Sequence, residues 1–186
     1  ILWMLSQWGL NKQHPQVQRA IQFVKERQEV DGCWFGRWGV NYIYGSFLAL
    51  NGLNAIGEDM KAPFSRKAVV WLEAHQNEDG GWGETCQSYA EPSLRGRGKS
   101  TASQTAWALL GLIAADEAES SAVKRGVRYL IETQNDSGEF SGSWWEDEFT
   151  GTGFPVHFFI KYHMYQHFFP LMALSRYRQA AGGKGH

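Results

Sequence analysis

The chain has 186 residues, a formal net charge of −1, and 43% hydrophobic against 20% charged side chains. This is the balance of a globular protein with room for a sizeable core, and it argues against nucleic-acid binding and a polybasic membrane patch. There is no apolar run of about 18 residues, the length a membrane-spanning helix needs, and Cys33 and Cys86 provide neither a disulfide framework nor metal-ligand spacing.

Ile1 to Asn11 is apolar and matches the second helix of a repeat unit, because Trp3 precedes Arg19 much as Trp107 precedes Arg125. The chain is therefore expected to begin inside a repeat, with further material upstream. An amphipathic helix follows, entered at Pro15 and carrying Val17, Ala20, Ile21 and Val24 on one face. It leads through Gln28 to a turn at Gly32, with Trp34 two residues on, and the glycine is expected to end the helix by adopting positive φ. From about Asn41 to Ile56 a more apolar helix carries Leu48, Leu50 and Leu53.

The pattern then recurs. Phe64, Ala68, Trp71 and Leu72 mark an amphipathic helix behind Pro63, followed by Gln76, Gly80 and Trp82. A loop runs from Glu84 to Lys99, and Ser100 is the expected N-cap of an apolar helix bearing Trp107, Leu109, Leu110, Leu112 and Ile113. A third amphipathic helix carries Val123, Val127, Leu130 and Ile131, with Gln134, Gly138 and Phe140 behind it. The acidic run Glu146-Asp147-Glu148 is expected in a solvated loop. A last helix is expected from Pro155 toward Arg178, kinked or broken at Pro170.

In each copy a basic residue (Arg19, Lys67, Arg125) stands nine positions before the Gln, and a Gly four after it. A Gln at a helix end can bond the carbonyls and amides left free there, and a Trp can cover the turn. Amphipathic helices alternating with apolar ones predict two concentric layers, the outer half-exposed and the inner buried.

The last predicted helix supplies the best functional candidate. At 100° per residue, Phe154, Phe158, Tyr162 and Tyr165 share an arc of about 80°. Ring faces stabilise carbocations without acting as the nucleophiles or bases that would quench them. By composition alone, such a stripe also suits a core face. Two other signals are discounted. Gly98-Lys99-Ser100 would need a glycine where Ser93 stands to be a phosphate loop, and His163 and His167 lack both a following Glu and a third ligand.

The base–aromatic–Gln–Gly–Trp signature is similar to the QW motif of triterpene cyclases, and the alternating helices resemble their (α/α) barrel. The most specific segments are Asp31-Gly-Cys-Trp-Phe-Gly-Arg-Trp-Gly-Val-Asn-Tyr-Ile-Tyr-Gly45, Gln76-Asn-Glu-Asp-Gly-Gly-Trp-Gly-Glu84, Ser103-Gln-Thr-Ala-Trp107 and Gly151-Thr-Gly-Phe-Pro155. The Gly-Arg-Trp-Gly-Val-Asn-Tyr form looks like bacterial squalene–hopene cyclases. The resemblance implies an all-α fold of alternating inner and outer helices, an incomplete half of an (α/α)6 barrel, with residues 1–181 as the C-terminal part of the catalytic domain and 182–186 as a disordered tail.

The resemblance further implies that Phe154 and Phe158 stabilise cations while Tyr162 and Tyr165 shape the same wall. Trp38 would face the substrate, and Tyr44 would join the network around the acid. Gln28, Trp34, Gln76, Trp82 and Gln134 would be structural braces. The chain departs from some relatives at Val156-His157, where those carry Gly-Asp. The family starts its reaction with the middle Asp of an Asp-x-Asp-Asp motif, because protonating an alkene needs a carboxylic acid with a stabilised conjugate base. The six aspartates here (Asp31, Asp59, Asp79, Asp116, Asp136, Asp147) are too dispersed for it, so no catalytic acid is expected in this part.

The implied activity is cyclisation of squalene or a related linear polyprene to hopene, with a water-adding branch to hopanol and with no cofactor or metal. The implied partners are an N-terminal part of the same chain, a membrane surface bound monotopically on the cytoplasmic side of the bacterial inner membrane, and a second copy in a homodimer. Two alternatives share the helical toroid. A prenyltransferase β-type subunit needs an Asp, Cys and His zinc set that is not evident, and a complement-type binding module needs a Cys-Gly-Glu-Gln that neither cysteine begins.

Overall fold

The computed structural model describes residues 1–182. Seven α-helices dominate: α1 (Leu2–Gln7), α2 (Pro15–Glu26), α3 (Tyr42–Ala55), α4 (Pro63–Ala74), α5 (Ala102–Ala114), α6 (Ser121–Glu132) and α7 (Tyr165–Gly182). A two-stranded antiparallel hairpin, β1 (Gly151–Phe154) and β2 (Phe158–Ile160), precedes α7. One row of helices packs in the order α1, α3, α5, α7, with α5 touching both α3 and α7. Of the α5 residues only Ile113 is not fully buried. The amphipathic helices lie outside this row, α2 on α1, α4 on α3 and α5, and α6 on α5.

Each amphipathic helix begins where its sequence allows. Pro15 and Pro63 occupy first-turn positions, where a missing N–H costs nothing. The Ser120 hydroxyl accepts from the amide of Val123 at 3.2 Å to cap α6. The N-cap of α5 is Thr101 rather than Ser100; its hydroxyl accepts from the Gln104 amide at 3.2 Å. Ser100 instead donates to Asp79 at 2.8 Å and accepts from the Asn77 side chain, tying the turn after α4 to the strand-like entry of α5.

The repeated turns share one set of hydrogen bonds. The Gln28 side-chain amide donates to the carbonyls of Gly32 and Phe64, both at 2.8 Å, and that of Gln76 donates to Gly80 at 2.8 Å and Ala122 at 2.9 Å. Each glutamine thus joins its own turn to the first turn of the next amphipathic helix. The indole of Trp34 donates to Val24 at 2.8 Å and that of Trp82 to Leu72 at 2.7 Å. The glycines do not end the helices as expected. Helices α2 and α4 stop at Glu26 and Ala74, and Gly32 (φ 108°) and Gly80 (φ 86°) lie further on, where any Cβ would strike the backbone of Lys67 or Arg125. Close approach of the next copy at its basic position is what demands glycine there.

The third copy is offset from the sequence alignment. Gln134 donates to Gly142 at 2.8 Å, and the indole bonded back to its helix, at Leu130 and 2.7 Å, is that of Trp144. Phe140 is 51% exposed. Four extra residues in this turn place Gly142 (φ 79°) and Trp144 where Gly138 and Phe140 were expected.

The segment expected to open a last helix at Pro155 is the hairpin instead. Gly151-Thr-Gly-Phe154 is poor helix-forming sequence, Pro155 breaks the chain after it, and Val156 turns the tip with φ of 63°. Helix α7 starts at Tyr165 and continues through Pro170 to Gly182, so Pro170 does not end it. Pro170 lies close enough to the start that it forfeits one early hydrogen bond, to Gln166. Of the tail expected at 182–186, Gly182 closes α7, and 183–186 lie outside the described residues.

Candidate functional site

Three backbone contacts bring the middle of the chain to the hairpin. The Val40 amide donates to Thr150 at 2.9 Å, the Thr152 amide donates to Trp38 at 2.9 Å, and Gly39 bridges Gly151. Both glycines are required. A Cβ on Gly39 would collide with the Tyr44 ring, and one on Gly151 with the Tyr162 ring. Two tyrosines from distant parts of the sequence are thus seated on one pair of facing glycines.

From there an aromatic cluster extends between α3, α5 and α7. Tyr44 lies 4.8 Å from Trp107 and 6.0 Å from Phe47, centroid to centroid. Tyr162 stacks on Tyr165 at 4.6 Å, and Tyr165 meets Trp107 at 5.8 Å and Phe169 at 5.1 Å, edge to face. Burial pushes the Tyr44 phenol above its ordinary value, with Tyr162 adding to the rise, and pushes Tyr165 up to about 12 with help from Tyr44 and Tyr162. These phenols stay protonated and are poor bases.

Tyr44 and Phe47 also line a cleft of about 1390 Å³, with Phe35, Trp38, Leu48 and Met172 among its walls. The lining is mainly apolar, and its charged members are Arg27, Glu29, Arg37 and Arg176. A space of this size with ring faces and few hydrogen-bonding groups suits a large hydrocarbon.

The sequence-derived site residues separate into three places. Tyr44, Tyr162 and Tyr165 converge in the cluster. Trp38 lines the cleft, 52% exposed, and its carbonyl holds the hairpin. Phe154 and Phe158 face each other at 5.8 Å on opposite strands and are 62% and 49% exposed. The single-helix stripe expected for Phe154, Phe158, Tyr162 and Tyr165 does not exist, because only Tyr165 is helical. Strand pairing, not helical period, juxtaposes the two phenylalanines. Phe47, Trp107 and Phe169 were missed as cluster members. Phe169 stands one turn after Tyr165, a spacing that could have found it.

Two glutamates cap the two central helices of the row, α3 and α5. Glu84 accepts from the amides of Asn41 at 3.2 Å and Ile43 at 3.0 Å, capping α3, the helix that carries Tyr44. Glu146 accepts from the amide of Ser103 at 2.9 Å and its hydroxyl at 2.8 Å, capping α5. Each follows a turn tryptophan by two residues, Trp82 or Trp144, so the cap belongs to the repeat. Glu146 is 5% exposed, so it is not the solvated acid the run 146–148 suggested. Burial raises both carboxyls, partly offset by these donors. Among the described residues no group of three or more His, Cys, Asp or Glu side chains could hold a metal ion.

Helical turns braced by Gln and Trp, and rings gathered beside an apolar cleft, agree with the terpene-cyclase class, which the family comparison shows. A family model described as the squalene-hopene cyclase C-terminal domain matches residues 1–179. The chain belongs to that family. It is 48% identical over 181 residues to the squalene–hopene cyclase of Zymomonas mobilis, covering 94% of this chain and 26% of that protein. With the squalene–hopene cyclase of Alicyclobacillus acidocaldarius it shares 49% over 180 residues, 97% of this chain and 28% of that protein. With the dammaradiene synthase of Dryopteris crassirhizoma it shares 46% over 176 residues, 87% of this chain and 25% of that protein. The chain thus spans about a quarter of the length of these relatives. Neither the prenyltransferase nor the complement-type reading is the family matched.

Proposed function

We propose that this chain is the C-terminal part of a squalene–hopene cyclase, supplying ring-lined wall to a cavity in which squalene folds and cyclises to hopene, with a branch to hopanol. The observation that carries the reading is Tyr44, which belongs both to the aromatic cluster and to the lining of the cleft. The row α1, α3, α5, α7 is the inner layer of half an (α/α) barrel, α2, α4 and α6 are its outer layer, and the Gln–Trp turns are QW braces. Phe154, Phe158, Tyr162, Tyr165 and Trp38 face successive cations of the cascade, whose positive charge the ring quadrupoles stabilise by about 0.5–2 kcal/mol each. Protonated phenols and phenyl rings offer no base along this wall, so the cation keeps its proton until the cascade ends and gives it up elsewhere in the cavity.

The initiating acid lies in an N-terminal part of the same chain, since the aspartates here are dispersed. The cyclase works without a cofactor on the cytoplasmic side of the bacterial inner membrane, held monotopically and as a homodimer. Among the described residues no helix is long and apolar enough to cross a membrane. Expression of the full-length enzyme and of residues 1–186 alone, each incubated with squalene and analysed by gas chromatography, tests the reading. Hopene is expected from the first and none from the second. A full-length enzyme that binds squalene yet forms no cyclic product would overturn it.

A further inference from the structure

We propose that Trp107 is a positioning residue for the cyclisation, a buried indole that sets the mutual placement of the Tyr44 and Tyr165 rings and so the point at which the cation cascade ends. This rests on the reading of those two rings as cavity wall. Trp107 is 0% exposed, whereas Tyr44 lines the cleft and Tyr165 is half-buried, so Trp107 acts through its neighbours. It sits on α5, between the helices it bridges. Its centroid is 4.8 Å from Tyr44 on α3 and 5.8 Å from Tyr165 and 5.4 Å from Phe169 on α7, with interplanar angles of 66°, 77° and 81°. Edge-to-face contacts of this kind fix orientation as well as distance, because the positive ring edge seeks the negative face.

The polar atom of Trp107 separates it from the other core tryptophans. Trp34, Trp82 and Trp144 each donate their indole N–H to a carbonyl of the preceding amphipathic helix. The Trp107 N–H has no hydrogen-bond partner among the described residues. A buried donor without a partner is costly, and an apolar side chain would fill space without that cost. Trp71 shares this feature but stacks on His75, remote from the cluster in sequence and contact. What an indole offers at position 107, beyond volume, is a long flat edge that reaches rings on both sides at once. The raised phenols of Tyr44 and Tyr165 reflect the same dry packing.

The test uses the full-length cyclase with squalene, comparing Trp107→Phe, Trp107→Ala and Tyr165→Ala for thermal midpoint and for the ratio of partly cyclised to pentacyclic products. Trp107→Phe keeps a ring and should remain folded if Trp107→Ala does not. The expected result is a melting curve for Trp107→Phe close to the parent's, with the product ratio raised by a factor of about two to five, a fraction of one cation–π contact. Tyr165→Ala should move the ratio in the same direction and further. A folded Trp107→Phe with an unchanged ratio, while Tyr165→Ala shifts it, overturns the positioning role alone. If neither substitution moves the ratio, the wall assignment fails and this inference falls with it.

Discussion

The indole N–H of Trp144 donates to the carbonyl of Leu130 at 2.7 Å across 14 positions of sequence, whereas Trp82 reaches the equivalent Leu72 across 10. The brace is kept while the turn beneath it grows, so the tryptophan and not the turn length is what the fold requires. Trp144 is 1% exposed and Phe140 is 51% exposed. Trp144→Ala should therefore cost about 3–5 kcal/mol, and Phe140→Ala less than about 0.5 kcal/mol. Urea denaturation of the two variants checks this, and a larger loss for Phe140→Ala would refute the offset.

The glutamine braces differ in how much they tie together. Gln76 donates to two carbonyls on separate elements and accepts from Arg125, whereas Gln134 makes one exposed bond to Gly142. At about 0.5–1.5 kcal/mol per hydrogen bond, the two carbonyl bonds make Gln76→Ala cost about 1–3 kcal/mol, with the exposed Arg125 contact adding little, and the single bond makes Gln134→Ala cost no more than about 1.5. Product pattern at temperatures well below melting should not change in either. A Gln76→Ala enzyme of unaltered melting temperature and altered products would contradict the structural assignment.

The helical half of this fold was legible because its signals are local. Val17, Ala20, Ile21 and Val24 share a period, and Pro15 and Pro63 mark starts whose positions the chain respects. The misreadings arose where long-range contacts decide. Nothing in Gly151-Thr-Gly-Phe154 announces that Trp38 and Gly39 will pair with it, so four rings at suggestive spacing were assigned to one helix. Gly142-Ser-Trp144 did carry the brace signature, but Gly138 and Phe140 matched the other copies' spacing and masked it. Glu146 reads as solvent-exposed among acids, and only the unpaired amides at the start of α5 explain its burial.

Those buried glutamates predict a pH dependence of stability. Burial raises the Glu84 carboxyl above its ordinary 4.5 in the folded state, and Glu84 Oε1 has no hydrogen-bond partner among the described residues. A carboxyl with a raised folded pKa binds protons more readily when folded, so its contribution is fully present below the unfolded value and is lost as pH rises through the folded one. The stability of the parent relative to Glu84→Gln should thus fall as pH climbs from about 4.5 through the raised value. Glu146→Gln should behave likewise, since burial also dominates its upward shift. Denaturant titrations across that range check both, and a difference that grows in the parent's favour with pH would mean that the caps outweigh desolvation.

The hairpin offers a way to disturb the cation wall without removing a ring. A Cβ at Gly153 would occupy the space of the Phe158 ring, which lies across that glycine. Gly153→Ala must therefore displace Phe158, and with it the edge-to-face contact to Phe154 at 5.8 Å. In the full-length enzyme Phe158→Ala should release prematurely terminated products, because a late cation loses its ring and deprotonates sooner. The loss of about 0.5–2 kcal/mol corresponds to a change in product ratio of roughly two- to thirtyfold. Gly153→Ala should shift the ratio the same way by less, since the ring is moved and not deleted. Substrate affinity should hold in both, as neither Gly153 nor Phe158 is among the residues lining the cleft around Tyr44. Gas chromatography of the products, with a thermal scan of each variant, separates the outcomes. A Gly153→Ala enzyme that melts normally and makes the parent's products would show that Phe158 does not face the cation from the position it holds on this hairpin.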